Sequence, residues 1–265
     1  MSESKKHLPF LSVTDFFAKK EGIPKVCVPL VGRNHEELLA EITEANLSEA
    51  DLVEWRADFY LDDIKIDAIL EMLAELRKKT HLPILFTFRT RHEGGEKEID
   101  ELTYQELLVQ VAAAKKTQFI DVEIFQSEER VKAIIKELHR LEQVVIASNH
   151  DFNLTPSYDE LIRRMRLMDE CGADVLKIAC MPRCMSDVVE VLKATTLMQE
   201  KYTSKPIISM SMGELGSISR YSGEIFGSVL TFGALREVSA PGQLHIKELK
   251  EILEHIHHIQ TRSSS

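Results

Sequence analysis

A chain of 265 residues is long enough to bury a sizeable core, and its length fits one large α/β barrel or two smaller domains. Its 33 basic and 43 acidic residues leave a net charge of -10, which argues against nucleic acid or an anionic membrane as the main partner. No apolar run approaches the roughly 20 residues of a membrane-spanning helix, and the first residues, Met1-Ser-Glu-Ser-Lys-Lys, precede no signal-type apolar core, so a cytoplasmic protein is expected.

Short apolar runs alternate with longer segments of helical period from residue 25 to the C-terminus, with no linker between them. The strand candidates are 25–31, 51–57, 82–88, 119–124, 144–148, 175–180, 207–212 and 229–232. Amphipathic stretches at 35–42, 64–78, 128–141, 158–171 and 244–259 repeat their apolar residues at three and four and predict helices. Eight such units, with no Gly-x-Gly-x-x-Gly turn after the first strand, fit a closed (β/α)8 TIM barrel better than an open doubly wound sheet. The expected organisation is a single catalytic domain over 1–265, with 1–24 capping the barrel bottom and 260–265 a frayed tail.

Polar side chains at the carboxyl ends of barrel strands point into the mouth, where such folds place their chemistry. In the second strand the two-residue period sets Glu54, Arg56 and Asp58 on one face and Val53, Trp55 and Ala57 on the other. The first set is read either as part of an active site or as a structural ion-pair network inside the barrel. Arg89 ends the third strand, Glu93 follows on a glycine-ended loop, and Arg91 faces solvent. Asp121 and Glu123 share the polar face of the fourth strand.

His150 lies just past the apolar part of the fifth strand and is the best general acid/base candidate, with a hydrogen-bonded structural histidine as the alternative. Lys177 is the only charge in Val175-Leu-Lys-Ile-Ala-Cys180. Burial there disfavours the ammonium and would leave an amine able to attack a ketone; the alternative is a lysine that reaches solvent or pairs with a carboxylate. Beyond the seventh and eighth strands come Ser219-Arg220 and Ser239-Ala-Pro-Gly-Gln243, in the region where barrels bind anions, and Arg220 is suited to a bidentate grip on a carboxylate. Met210 and Met212 offer adaptable apolar walls.

The four cysteines, Cys27, Cys171, Cys180 and Cys184, suit buried free thiols rather than a disulfide framework, and neither Cys180/Cys184 nor His255, His257 and His258 forms a persuasive metal set.

The segments Glu54-Trp-Arg-Ala-Asp58, Thr87-Phe-Arg89, Glu93-Gly-Gly-Glu96, Ser148-Asn-His-Asp-Phe152, Gly172-Ala-Asp-Val-Leu-Lys-Ile-Ala179, Ser209-Met-Ser-Met-Gly213, Ile218-Ser-Arg220 and Ser239-Ala-Pro-Gly-Gln243 together resemble the type I 3-dehydroquinate dehydratases, Schiff-base hydro-lyases of the shikimate pathway. They run in order through nearly the whole barrel. The resemblance implies a (β/α)8 homodimer that dehydrates 3-dehydroquinate to 3-dehydroshikimate with no metal and no cofactor. It implies that Lys177 forms the imine, that His150 is the catalytic histidine, and that Glu93 orients it with help from Asp121. Glu54, Arg56, Arg89, Arg220, Ser239 and Gln243 match substrate-contacting positions, with Arg220 as the carboxylate clamp, while Met210, Met212 and Phe232 line the substrate ring. Pro29 stands where some members carry serine, a departure confined to one hydroxyl contact. Two other readings share the lysine and the barrel: a class I aldolase, which would cleave a carbon–carbon bond, and a non-catalytic barrel, which would bind without turnover.

Overall fold

The computed structural model describes residues 12–17, 22–60, 63–124, 127–235 and 242–262. A short helix, α1 (Val13–Phe17), precedes a regular alternation: β1 (Lys25–Leu30), α2 (His35–Leu47), β2 (Leu52–Arg56), α3 (Ile66–Lys79), β3 (Ile84–Thr87), α4 (Glu101–Ala114), β4 (Phe119–Glu123), α5 (Glu128–Arg140), β5 (Val144–Asp151), α6 (Tyr158–Glu170), β6 (Val175–Cys180), α7 (Met185–Lys201) and β7 (Ile207–Ser211). Two one-turn helices, α8 (Ile218–Tyr221) and α9 (Gly223–Phe226), lead to β8 (Leu230–Ala234), and the described chain ends with β9 (Leu244–His245) and α10 (Ile246–Arg262).

The ladders are parallel and run β7-β6-β5-β4-β3-β2-β1-β8-β9, so β1 pairs with both β2 and β8 and the sheet curls onto itself. The remaining seam, between β7 and β8, is closed by a bridge from Ile207 to Ser228, with the Val229 N–H donating to the Ile207 carbonyl at 2.9 Å. This is the expected (β/α)8 barrel.

The two-residue period divides the strands between two cores. Outward residues such as Val28, Val53, Trp55, Phe86, Val122 and Val145 pack beneath helix residues such as Ile42, Leu73, Leu108 and Ile134. Inward residues Cys27, Leu52, Leu85, Phe119, Ile146, Val175, Ile208 and Leu230 fill the lower barrel. Phe16 and Phe17 of α1 close the bottom, with ring centroids 5.2 and 5.7 Å from Phe119, so the described part of the N-terminal segment is the expected cap. Each such aromatic pair adds about 0.5–1.5 kcal/mol beyond its buried area.

The two ends of the barrel sequence meet at Asp51, whose Oδ2 accepts from the Val26 N–H and from Lys250 Nζ, both at 2.8 Å. Cys27, Cys171 and Cys180 are buried free thiols, whereas Cys184 is exposed. Among the described residues no helix is long and apolar enough to cross a membrane.

Three boundaries differ from the pattern in the sequence. β5 continues through Asn149 and His150 to Asp151, because ladder hydrogen bonding to β6 pairs backbones regardless of side-chain polarity; the register Asn149 to Ile178, His150 to Ala179 and Asp151 to Cys180 is unbroken. β2 stops at Arg56, and Asp58 lies in a 3-10 turn over Ala57–Phe59. The segment expected to begin the last helix starts as β9, where Leu244 pairs with Gly233.

Candidate active site

Above the apolar floor the inward positions become polar: Glu54 on β2, Thr87 on β3, Asp121 on β4, Ser148 on β5 and Lys177 on β6. Lys177 is 3% exposed. Its Nζ lies 3.2 Å from Glu54 Oε1, 3.3 Å from Asp121 Oδ2 and 4.9 Å from the ring centroid of Phe232. The apolar run around Lys177 therefore describes its outward neighbours Leu176 and Ile178, not the surroundings of the amine. Both alternatives raised for this residue meet here: it is ion-paired, and it is buried at the floor of a cavity.

Arg89 organises the adjoining acidic wall. Its Nη2 donates to Asp121 Oδ1 at 2.9 Å, and its Nη1 donates to Glu123 Oε1 at 2.9 Å, to Ser148 Oγ at 3.0 Å and to Glu93 Oε2 at 3.4 Å. The Ser148 hydroxyl in turn donates to Asp121 Oδ1 at 2.6 Å. Burial works to raise the Asp121 pKa, but Arg89 and Lys177, with the hydrogen bonds of Ser148 and Arg89, outweigh it, and the net shift is downward. Glu54 Oε1 accepts from Thr87 Oγ1 at 2.9 Å, which fixes the carboxylate against the lysine.

His150 and Glu93 form the second centre. Since Ser148 is the register partner of Lys177, His150 stands one inward step above the lysine on the neighbouring strand. Its Nδ1 lies 2.9 Å from Glu93 Oε2, and Glu93 Oε2 also accepts the His150 N–H at 2.9 Å. Nε2 has no hydrogen-bond partner among the described residues, and the ring lines the cavity, so this nitrogen is the one available to a ligand. Burial pushes the Glu93 carboxyl above the usual carboxylate range, with Glu123 adding to the effect and Arg89 and Asn149 opposing it. The same burial, with the cations Arg89, Lys177 and Arg56, holds His150 well below its ordinary value. Both shifts disfavour separated charge, so the pair acts as a unit around one proton on the Nδ1 to Oε2 line.

Glu93 reaches this place because the turn over Arg91–Glu93 ends at Gly94 with φ 84, a left-handed conformation that a side chain would strain. Gly95 is equally constrained, since a Cβ there would sit 1.9 Å from the Arg89 carbonyl oxygen.

Glu54, Arg56, Arg89, Glu93, His150, Lys177, Met210, Met212, Phe232 and Gln243 all line one cavity of about 460 Å³, a volume that includes its open mouth. Arg56 is held bidentately by Asp58, Nε to Oδ1 and Nη2 to Oδ2 at 2.8 Å each. Arg220 is 2% exposed beside this cavity, its Nη1 3.9 Å from Met210 Sδ, and burial lowers its pKa to about 10. Ser239 lies outside the described residues. Two lining residues end segments of the resemblance but carry no expected role, Phe152 and Ala179. The ring of Phe152 packs on Gly94, so the glycine that shapes the Glu93 turn also admits an apolar rim residue. Period two from Lys177 could have found Ala179; nothing in the sequence distinguishes Asn149, whose Nδ2 donates to Glu93 Oε1 at 3.1 Å.

Residues 26–260 match the family model described as type I 3-dehydroquinase. A 3-dehydroquinate dehydratase of Bacillus licheniformis is 49% identical over 240 residues, covering 89% of this chain and 94% of that protein. One from Clostridium novyi is 49% identical over 240 residues, covering 90% and 95%. The crystal structure of a type I 3-dehydroquinate dehydratase from Clostridium difficile, with covalently modified comenic acid, superposes with a TM-score of 0.86 at 44% identity, covering 89% of this chain and 94% of that one. With the lysine and the histidine on one barrel mouth, and with this match over most of its length, the chain belongs to the type I 3-dehydroquinase family.

Proposed function

We propose that the chain is a 3-dehydroquinate dehydratase, a hydro-lyase that forms 3-dehydroshikimate through an imine on Lys177. The observation that carries the reading is the placement of Lys177 and His150 one inward step apart on adjacent strands of the same cavity. Family membership supplies the substrate and sets aside the aldolase and the non-catalytic barrel.

Lys177 sheds its ammonium proton to solvent and, as the free amine, adds to the C3 ketone; the carbinolamine takes one proton back from solvent and loses the former ketone oxygen as water to leave a cationic iminium. Glu54 and Asp121 face that cation as they face the ammonium of the free enzyme, so the iminium forms where opposite charge is already in place. The iminium draws electrons from C2, and His150 Nε2 removes the C2 proton to give an enamine. Glu93 opposes the imidazolium charge through Nδ1. The enamine electrons then expel the C1 hydroxyl, which takes the proton from the imidazolium and leaves as water. Hydrolysis of the conjugated iminium returns the ketone and the lysine. Arg220 clamps the substrate carboxylate, Glu54, Arg56, Arg89, Ser239 and Gln243 give polar contacts, and Met210, Met212 and Phe232 form the apolar wall.

The imine is itself the electron sink, so the reaction calls for no metal or cofactor. Strands and helices alternate from β1 to β7, and all nine described strands join one curled sheet, which supports one catalytic domain over 1–265. A homodimer in the cytoplasm completes the proposal, and a monomeric boundary in sedimentation at working concentration would count against the dimer.

The deciding experiment is the intact mass after incubation with 3-dehydroquinate, borohydride and a chelator, followed by peptide mapping. A reduced adduct on Lys177, absent from Lys177→Ala and retained by a stalled His150→Ala, is the expected result. No adduct and no rise in enone absorbance would reject the reading.

A further inference from the structure

The hydrogen bonds of Glu93 continue outward beyond the cavity. Arg164, on α6, is anchored by Nε to Glu160 Oε1 at 2.8 Å and places Nη1 2.7 Å from Asn149 Oδ1. Asn149 is completely buried, and its Nδ2 donates to Glu93 Oε1 at 3.1 Å. A guanidinium carries donors alone, so the amide must turn its oxygen to Arg164 and its NH2 to Glu93. Oε1 is thereby required to accept. Oε2 already accepts from the His150 N–H and from Arg89 Nη1, so a proton between Glu93 and His150 belongs on Nδ1.

We propose that Arg164 is a positioning residue: through the Asn149 amide it keeps Glu93 a carboxylate, and so keeps His150 in the tautomer whose Nε2 is the free base. The role rests on the reading of His150 as the proton carrier. Glu93 is faced by Arg89 from the end of β3, by Asp121 and Glu123 from β4, by His150 and Asn149 from β5 and, through Asn149, by Arg164 from α6. Burial and the two acidic neighbours on β4 favour a neutral Glu93, and its donors oppose them. Without Arg164 the amide is free to turn its carbonyl toward Oε1, where a neutral carboxyl satisfies it. A neutral Glu93 also donates to Nδ1, which moves the ring proton to Nε2 and blocks the base.

The test follows the ring nitrogens of His150 by nitrogen NMR on histidine-labelled full-length protein. The resonances, among those of ten histidines, are assigned by their loss in His150→Gln. The free enzyme should show Nδ1 protonated, and Arg164→Leu should show a mixture of tautomers. In turnover, Arg164→Leu should lower kcat about tenfold, the scale for an outer partner of a site residue, with KM within about twofold. Arg164→Lys, which still donates, should recover most of the loss. In an Asn149→Ala background Arg164→Leu should have little further effect. Unchanged His150 signals in Arg164→Leu, or an undiminished loss in the Asn149→Ala background, would overturn the proposal. Should Arg164→Leu not fold, Arg164→Met, which also lacks a donor, gives the same readings. The NMR arm needs no substrate, so its outcome is separable from failure of the dehydratase reading.

Discussion

Replacing Arg89 by methionine removes one guanidinium from among Asp121, Glu123 and Glu93, which are 1%, 4% and 1% exposed. Leaving a buried charge without its partner costs about 3–5 kcal/mol. None of the three becomes bare: Asp121 keeps Lys177 and Ser148, Glu123 keeps the Thr90 N–H at 2.8 Å and its hydroxyl at 2.7 Å, and Glu93 keeps Asn149 and His150. The lower end therefore applies, and Arg89→Met should lose about 3 kcal/mol at pH 7.5 in equilibrium urea unfolding. The pH dependence carries a definite sign. In the parent, Asp121 has a folded pKa below its unfolded one, so its contribution is present above the unfolded pKa and lost as pH falls through the folded one. In Arg89→Met burial acts with less opposition, and carboxyls with folded pKa values raised above the unfolded ones lose stability as pH rises. The deficit of the variant should accordingly be smaller at pH 5 than at pH 7.5. A deficit under about 1 kcal/mol at pH 7.5, or one that grows on acidification, would refute the lattice as a linked set of buried charges.

Arg220→Ala should raise KM by about tenfold to a hundredfold, the effect of a charge-assisted bond worth about 1.5–3 kcal/mol, and initial rates with an unaltered KM would remove it as the clamp. Gly95→Ala, which puts a methyl 1.9 Å from the Arg89 carbonyl oxygen, should displace the Glu93 turn and lower kcat/KM more than tenfold in steady-state assays; parent-like kinetics would show that the turn is dispensable. Because His150 is held well below its ordinary value, the base stays unprotonated as pH falls past about 6.5, and the acid limb of kcat/KM should lie below that point. A limb centred at or above it would contradict the buried, cation-flanked setting of the ring.

Much of the barrel follows from alternation alone. Glu54 and Arg56 against Val53 and Trp55 divide the faces of β2 as the two-residue period requires, and the polar inward residues of β4 and β6 obey it as well. The sequence pattern sets His150 past its strand because apolarity ends at Ala147, while the backbone ladder runs three residues beyond Ser148. The surroundings of Lys177 were legible only as apolar, since its carboxylates come from β2 and β4 and not from its own segment. Asn149 and Arg164 left no trace in the pattern. One has outward parity on its strand and the other sits on a helix; only packing of α6 against β5 brings them to Glu93.

The tie at Asp51 bears on how such a chain is made. Its Oδ2 holds Val26 of the first strand and, 199 residues further along the chain than Asp51, Lys250, and β1 also takes its second ladder from β8. Closing a loop of that size costs on the order of 5 kcal/mol in chain entropy, which no single contact there repays. During synthesis β1 emerges first and waits for partners made last, with one edge open until β8 and α10 arrive. Registry among the middle strands, each formed between sequence neighbours, is set before the ring is joined, so closure is a late and concerted event.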